Sequence, residues 1–428
     1  MDLKLTTQEA DTRGLDGGAA AYAERMNRIT DAVALRQTDR VPAVFYTMFW
    51  HARYGGMTCR DAMYDYDQVG RVVRRILLEF QPDAYALPYP MTGFGAIMER
   101  MGYRQMQWPG HGTDVNVSFQ YLDREYMKAE EYEDYLFDPT GFYLAKYLPR
   151  IASEFEGLAR LKDLPGQYYV ALLLGMRHYA DPKVAGAFTA MREAGEEARR
   201  LLVHAAAVGK QMAELGFPQA QGPAANAPFD YFGDNFRGSK GIMLDMYRRK
   251  DSLIAAMDKA GVFILRQALA AGARSPSKFV FIPIHWAFDG FMSLTQFKTF
   301  FWPSLRKLLM GLIDGGLVPM VLWEGDCTSR LEVIADIPRG KAVYWFERTD
   351  LVLAKQVLGS IVCLRGNVPA STMTTGTPEQ VDACCRGLIE KVGKGGGFIL
   401  DGGIGIPDEA KTENVRALFE AARKYSPL

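Results

Sequence analysis

Four apolar runs in the last third of the chain, Phe279 to Ile284, Val318 to Trp323, Ala342 to Phe346 and Phe398 to Leu400, each end in a polar cluster. Helical periodicity resumes after each cluster. Runs without polar alternation predict strands buried on both faces, and the helices between them predict right-handed parallel crossovers. The clusters are His285, Asp289 and Ser293; Glu324, Asp326 and Cys327; Glu347 and Asp350; and Asp401 with Gly402, Gly403, Ile404, Gly405, Ile406 and Pro407. In barrels of such units, chemistry sits at the C-terminal strand ends.

Upstream, the pattern predicts a helix over Ala21 to Leu35, a strand from Val41 to Tyr46, helix over most of Met57 to Phe80, and a short strand from Asp83 to Leu87. Tyr89 to Leu122 is dense in Gly, Pro and aromatic residues and reads as a long irregular loop that covers a site. Helical segments follow over Tyr132 to Phe137, Tyr143 to Phe155 and Pro182 to Leu215, with a turn at Leu161 to Pro165. Strand character returns at Phe217 to Gln221, and helices over Lys240 to Tyr247 and Asp251 to Ala271 lead into the Phe279 strand. No linker divides the chain. The expected organisation is a loose leader over residues 1–20, marked by Gly17 and Gly18, then one domain over 21–428 in which 89–215 is a loop and helical insertion.

Composition narrows the function classes. Lys plus Arg and Asp plus Glu each number 50, so no net charge recruits nucleic acid or an anionic membrane. Five cysteines, two of them adjacent in a helical stretch, do not read as a disulfide framework. No signal peptide and no apolar span of about 20 residues is visible, and a cytoplasmic location is expected. The glycines from Gly393 to Gly397 precede a strand, not a helix, and do not form a phosphate loop.

Several short motifs recur in one order: Asp39-Arg40-Val41-Pro42, Gly222-Pro223, Arg237-Gly238, Asp289-Gly290-Phe291-Met292-Ser293 through Trp302-Pro303, Gly366-Asn367-Val368-Pro369, and Gly405-Ile406-Pro407 followed by Glu413-Asn414-Val415. In this the chain resembles the uroporphyrinogen decarboxylase superfamily, and within it the cobalamin-dependent methyltransferase branch, from about Met26 to Tyr425. The resemblance implies an α/β fold, a (β/α)8 TIM barrel with N-terminal helices and a helical and loop insertion. It also implies a corrinoid carried by a separate protein, and a zinc ion held by His-x-Cys and a later Cys.

Departures from the family pattern carry information. The decarboxylases' Arg-Gln-Ala-Gly-Arg signature falls on Phe45 to Arg53, where Arg53 is the one arginine. Several fixed guanidiniums are needed for a substrate with eight carboxylates. The zinc-binding His-x-Cys falls on Leu322-Trp323-Glu324, and the later Cys on Ile404. Any metal would therefore take oxygen and nitrogen ligands, with Glu324 and His285 as the expected pair.

Glu324 reads either as a metal ligand or general acid/base at the mouth, or as a solvated carboxylate capping the next helix. Asp326 stands before Cys327-Thr328-Ser329, where it also has the look of a helix cap. His285 ends its strand where it would face Glu324, and an imidazole beside a carboxylate activates water or a phenol. Asp401 adds a fourth candidate, although Asp-Gly-Gly is also ordinary turn chemistry. Tyr89, Phe94, Trp286, His111 and Arg237 are the expected substrate-binding residues.

The function expected is transfer of a methyl group from a small O- or N-methylated substrate, aromatic ones included, to the corrinoid protein. A decarboxylase or lyase using Arg53, Arg237 and Arg365, and a non-catalytic tetrapyrrole- or corrinoid-binding barrel, are the alternatives.

Overall fold

The computed structural model describes residues 15–162 and 168–425. Strands β1 (Val44–Phe45), β2 (Ala84–Tyr85), β3 (Phe279–Ile284), β4 (Val318–Trp323), β5 (Val343–Phe346), β6 (Cys363–Val368) and β7 (Phe398–Gly402) run parallel. Residues 218–225 supply the missing stave through single bridges, Tyr85 to Gln219 on one side and Ala224 to Phe281 on the other. A bridge from Ala43 to Leu400 then closes the ring, with the Leu400 amide donating to the Pro42 carbonyl at 2.8 Å. The fold is a (β/α)8 barrel.

Period-two alternation divides each strand between two cores. Val44 and Tyr46, Phe279 and Phe281, Met320 and Leu322, Val343 and Trp345, Cys363, and Ile399 fill the barrel lumen. Their neighbours Phe45, Val280, Ile282, Val321, Trp323, Tyr344, Phe346, Leu364 and Leu400 pack outward against the helices. The first, second and last of the four expected strands in the C-terminal third begin where the pattern places them, and the third begins one residue later. A further strand, β6, escapes the pattern, because Arg365, Gly366 and Asn367 interrupt its apolar run.

Below the barrel, Asp39-Arg40-Val41-Pro42 has a structural role. Buried Asp83 accepts from Arg28 Nη1 and Arg40 Nη1, both at 2.6 Å, and from the Ala43 amide at 2.9 Å. This clamps the first helix and β1 to the start of β2.

Helix Leu15–Val33 begins within the expected leader and contains Gly17 and Gly18. A Cβ on Gly18 would lie 2.0 Å from the Glu214 carbonyl oxygen, so the missing side chain permits close approach to the end of helix Pro182–Glu214. Residues 1–14, and 163–165 of the expected turn, lie outside the described residues. The expected loop from Tyr89 to Leu122 is ordered: helices Tyr89–Thr92 and Gly95–Met101 lead into a small sheet of Met106–Pro109, Gly112–Thr113 and Gln120–Tyr121. Among the described residues, no helix is long and apolar enough to cross a membrane.

Candidate functional site

Extending each strand's alternation past its end identifies what faces the mouth. His285 continues the lumen-facing series of Phe279 and Phe281, Glu324 that of Met320 and Leu322, and Glu347 that of Val343 and Trp345. β3 and β4 are neighbours, and His285 Nε2 lies 3.6 Å from Glu324 Oε1. Glu347 sits on the next strand, where one carboxylate oxygen accepts from the Gly325 amide at 2.6 Å.

The other ring nitrogen of His285, Nδ1, meets Asp234 Oδ2 at 2.7 Å, while Trp286 Nε1 donates to Asp234 Oδ1 at the same distance. Asp230, one turn earlier, is fully buried and accepts from the His285 amide at 2.9 Å; its Oδ1 has no hydrogen-bond partner among the described residues. Burial, reinforced by Asp234 and only partly opposed by His285, raises the Asp230 pKa well above the carboxylate range. For His285, burial works against the charge, but the Asp234 hydrogen bond and the fields of Asp234, Asp230 and Glu324 outweigh it and push the pKa up to about 10. Burial raises Glu324 as well, with Glu347 and Asp234 adding to it and His285 opposing. At neutral pH the mouth thus presents an imidazolium whose Nε2–H points toward Glu324 and the opening.

Asp230 and Asp234 were missed in the sequence because they precede β3 by some fifty residues. Their spacing of four, within Pro228-Phe229-Asp230-Tyr231-Phe232-Gly233-Asp234, was the available signal, since it puts both carboxylates on one helical face.

Beneath the mouth, Arg365 and Asp401 form an ion pair, each side chain 1 % exposed. Arg365 Nε and Nη2 donate to Asp401 Oδ2 at 2.9 and 2.6 Å, and the guanidinium lies 3.8 Å from the Trp345 ring centroid. Asp401 Oδ1 accepts from the Gly402 amide at 2.7 Å. Burial pushes the Asp401 pKa up to about 6 despite Arg365. Asp401 is therefore part of the barrel floor and not a free acid at the opening. Tyr46 stands over the same floor, edge-on to Trp345 at 5.0 Å.

Other expected site residues lie elsewhere. Asp326 is exposed, and its Oδ1 accepts from the Thr328 amide and hydroxyl at 3.0 and 2.6 Å, so it caps the turn after β4. The Arg237 guanidinium is buried against Asp245, Glu125 and the Met127 carbonyl, which leaves no donor face for a substrate. Tyr89 is 1 % exposed, donates to the Tyr66 carbonyl at 2.7 Å and packs on His204. His111 stacks on Trp108 in the outer sheet with Nε2 2.5 Å from Glu99. Phe94 joins an aromatic row with Phe119 and Phe49, beside the loop after β1. Trp286 alone among the expected substrate residues touches the His285 cluster.

A zinc ion does not fit the donor set. Among the described residues, no three His, Cys, Asp or Glu side chains are grouped to hold a metal. The mouth pairs only His285 Nε2 with Glu324, 3.6 Å apart, and burial raises the Cys327 thiol far above the thiolate range, so among the described residues no third ligand joins them.

A cleft of about 620 Å³ opens beside the mouth, lined by Glu347, Arg348, Asn367, Ser371, Gly403 and Ile404. Arg348 is exposed and has no ion-pair partner among the described residues. A larger cavity, about 730 Å³, follows the flank of helix Pro182–Glu214 and is bordered by no lumen-facing residue.

Comparison with known proteins gives the same scaffold. The family model described as Uroporphyrinogen decarboxylase (URO-D) matches residues 182–425. Proteins named uroporphyrinogen decarboxylase from Pseudomonas fluorescens and Idiomarina loihiensis are each 28 % identical, over 196 and 197 residues. These alignments cover 45 % of this chain, and 53 % and 52 % of the relatives, so the chain spans about half the length of the curated relatives it matches. Among solved structures, a methyltransferase from Methanosarcina mazei superposes with a TM-score of 0.63 at 18 % identity, covering 94 % of this chain and 98 % of that one. At that identity the likeness concerns the fold.

Proposed function

This chain belongs to the uroporphyrinogen decarboxylase family, and we propose that it is a methyltransferase component that moves a methyl group from a small O- or N-methylated substrate, aromatic ones included, to a corrinoid on a separate protein. The observation that carries this reading is the placement of His285 at the barrel mouth, with Nδ1 on Asp234, its amide on Asp230 and Nε2 3.6 Å from Glu324, a ring of carboxylates that raises its pKa. In methyl transfer the acceptor's electron pair takes the methyl carbon while the C–O or C–N bond breaks, and the departing heteroatom gains electrons. A proton delivered by His285 Nε2–H makes that heteroatom a better leaving group without a Lewis acid. An imidazolium with a pKa of about 10 suits a phenolate, whose own pKa is near 10. Glu324, whose pKa is raised, sits where it can orient the substrate or return a proton to His285.

A decarboxylase reading is weaker for a physical reason. Arg237 and Arg365 are committed to Asp245 and Asp401, and Arg53, exposed on helix Trp50–Gly55, does not line the cleft, leaving Arg348 as the guanidinium there, whereas a polycarboxylate needs several. The test is to incubate the protein with cob(I)alamin and a panel of methoxy- and N-methyl-aromatics, following methylcobalamin by absorbance. Transfer that depends on His285 supports the proposal. Release of CO2 from uroporphyrinogen, with no methylation across the panel, would overturn it.

A further inference from the structure

Deep in the barrel, Tyr46 carries a hydroxyl without a proper partner. The residue is 3 % exposed, and among the described residues its oxygen meets only Met48 Sδ, at 3.8 Å. A thioether is a weak acceptor, and a buried donor left without a good one is costly. Resting on the methyltransferase reading above, we propose that Tyr46 is a substrate-binding residue whose hydroxyl, once Met48 swings aside, donates to a second oxygen on the methyl donor. The donor is then an arene bearing an oxygen substituent besides the group that gives up its methyl.

Tyr46, Phe281 and Trp345 form one layer across the lumen, with ring centroids 5.0, 5.9 and 6.4 Å apart. Above that layer the lumen opens. Pro283, the next lumen-facing position after Phe281, is half-buried. Ala224 bridges Phe281 in parallel, which turns both side chains to the same face, and it is exposed. His285 follows two positions beyond Pro283, so four residues of strand, about 13 Å, separate it from the aromatic layer. Both His285 and Tyr46 reach into that span. With hydrogen bonds of about 2.8 Å at each end, a benzene ring with two oxygen substituents fills it, the departing oxygen under His285 and the second over Tyr46.

The phenol is held firmly, whereas its cover is not. A Cβ on Gly405, at a φ of 82°, would lie 2.5 Å from Tyr46 Cδ1, so the Gly405-Ile406-Pro407 motif leaves room for this ring. The Ile406 amide also donates to the Tyr46 carbonyl at 2.8 Å. Met48, by contrast, is unbranched and half-buried, and it stands two residues nearer the mouth. Burial raises the Tyr46 pKa, opposed by Arg365 and reinforced by Glu324 and Asp401, so the hydroxyl keeps its proton at neutral pH and acts as a donor. The influence of Glu324 on it also sets the phenol within the electrostatic reach of the mouth.

Calorimetry on the full chain with anisole and with the ortho, meta and para isomers of dimethoxybenzene tests this without a corrinoid. Wild type should bind one dimethoxy isomer roughly 10-fold more tightly than anisole, and Tyr46→Phe, which keeps the ring and removes the donor, should erase that preference. Met48→Ala, which uncovers the hydroxyl, should widen the preference, and it decides the matter if Tyr46→Phe does not fold. Equal affinity for all four compounds, affinity for none, or a preference that survives Tyr46→Phe or is unmoved by Met48→Ala overturns the proposal. A preference lost in Tyr46→Phe, in a protein that methylates no cob(I)alamin, keeps this subsite and sinks the methyltransferase reading instead.

Discussion

Replacing Asp234 with Asn tests the electrostatic basis of the site without a substrate. Asp234 is the strongest partner of His285: its Oδ2 lies 2.7 Å from Nδ1, and it supplies both a charge-assisted hydrogen bond and a nearby negative field. An opposite charge at this range shifts a pKa by about 1–3 units. The amide introduced by Asp234→Asn keeps the shape and removes the charge, so His285 should fall from about 10 to between roughly 7 and 9. About a third of the imidazole is exposed, and solvent screening places the expected change toward the lower part of that range. The sign is fixed by linkage. A histidine whose folded pKa is raised binds its proton more tightly in the native state, so its contribution to stability is full below about 6.5 and is lost as pH rises through about 10. Heteronuclear NMR titration of the five histidines, with His285→Gln to assign the resonance, reads both values. A wild-type His285 titrating near 6.5, or an Asp234→Asn protein with an unmoved His285, would refute the reasoning.

Other substitutions separate floor from mouth. Arg365→Met strips Asp401 of its two guanidinium hydrogen bonds inside the barrel and should cost about 3–5 kcal/mol in urea unfolding. Arg237→Met should destabilise by a similar amount through Asp245, with no change in substrate KM at the stability-permissive temperature, because its guanidinium faces away from the mouth. Asp326→Ala should cost about 1 kcal/mol as a lost cap and leave the transfer rate unchanged, which steady-state kinetics would check.

Much of the barrel was legible because lumen and outer positions are both apolar, so β3, β4 and β5 stand out as unbroken runs. β6 did not, since its lumen-facing Arg365 and Asn367 are satisfied by partners distant in sequence: Asp401 and the Thr349 carbonyl. The stave at 218–225 was announced by the apolar start at Phe217 to Gln221, but isolated bridges hold it in place of a regular ladder. In the site, His285 and Glu324 were readable from strand phase alone. Asp326 was misleading because Gly325, at a φ of 73°, turns the chain off the strand before it. Arg237 drew attention as a conspicuous cation, but a cation's availability depends on its partners, and Asp245 and Glu125 are visible only in three dimensions.

Proton donation by His285 is tested most directly by leaving-group dependence. Single-turnover methyl transfer to cob(I)alamin should be measured for methoxyaromatics of graded phenol pKa, with wild type and His285→Gln. The account predicts a rate ratio that grows as the leaving phenolate becomes more basic, reaching about 10²–10⁴ for the poorest leaving groups. A ratio that stays constant across the series would contradict it.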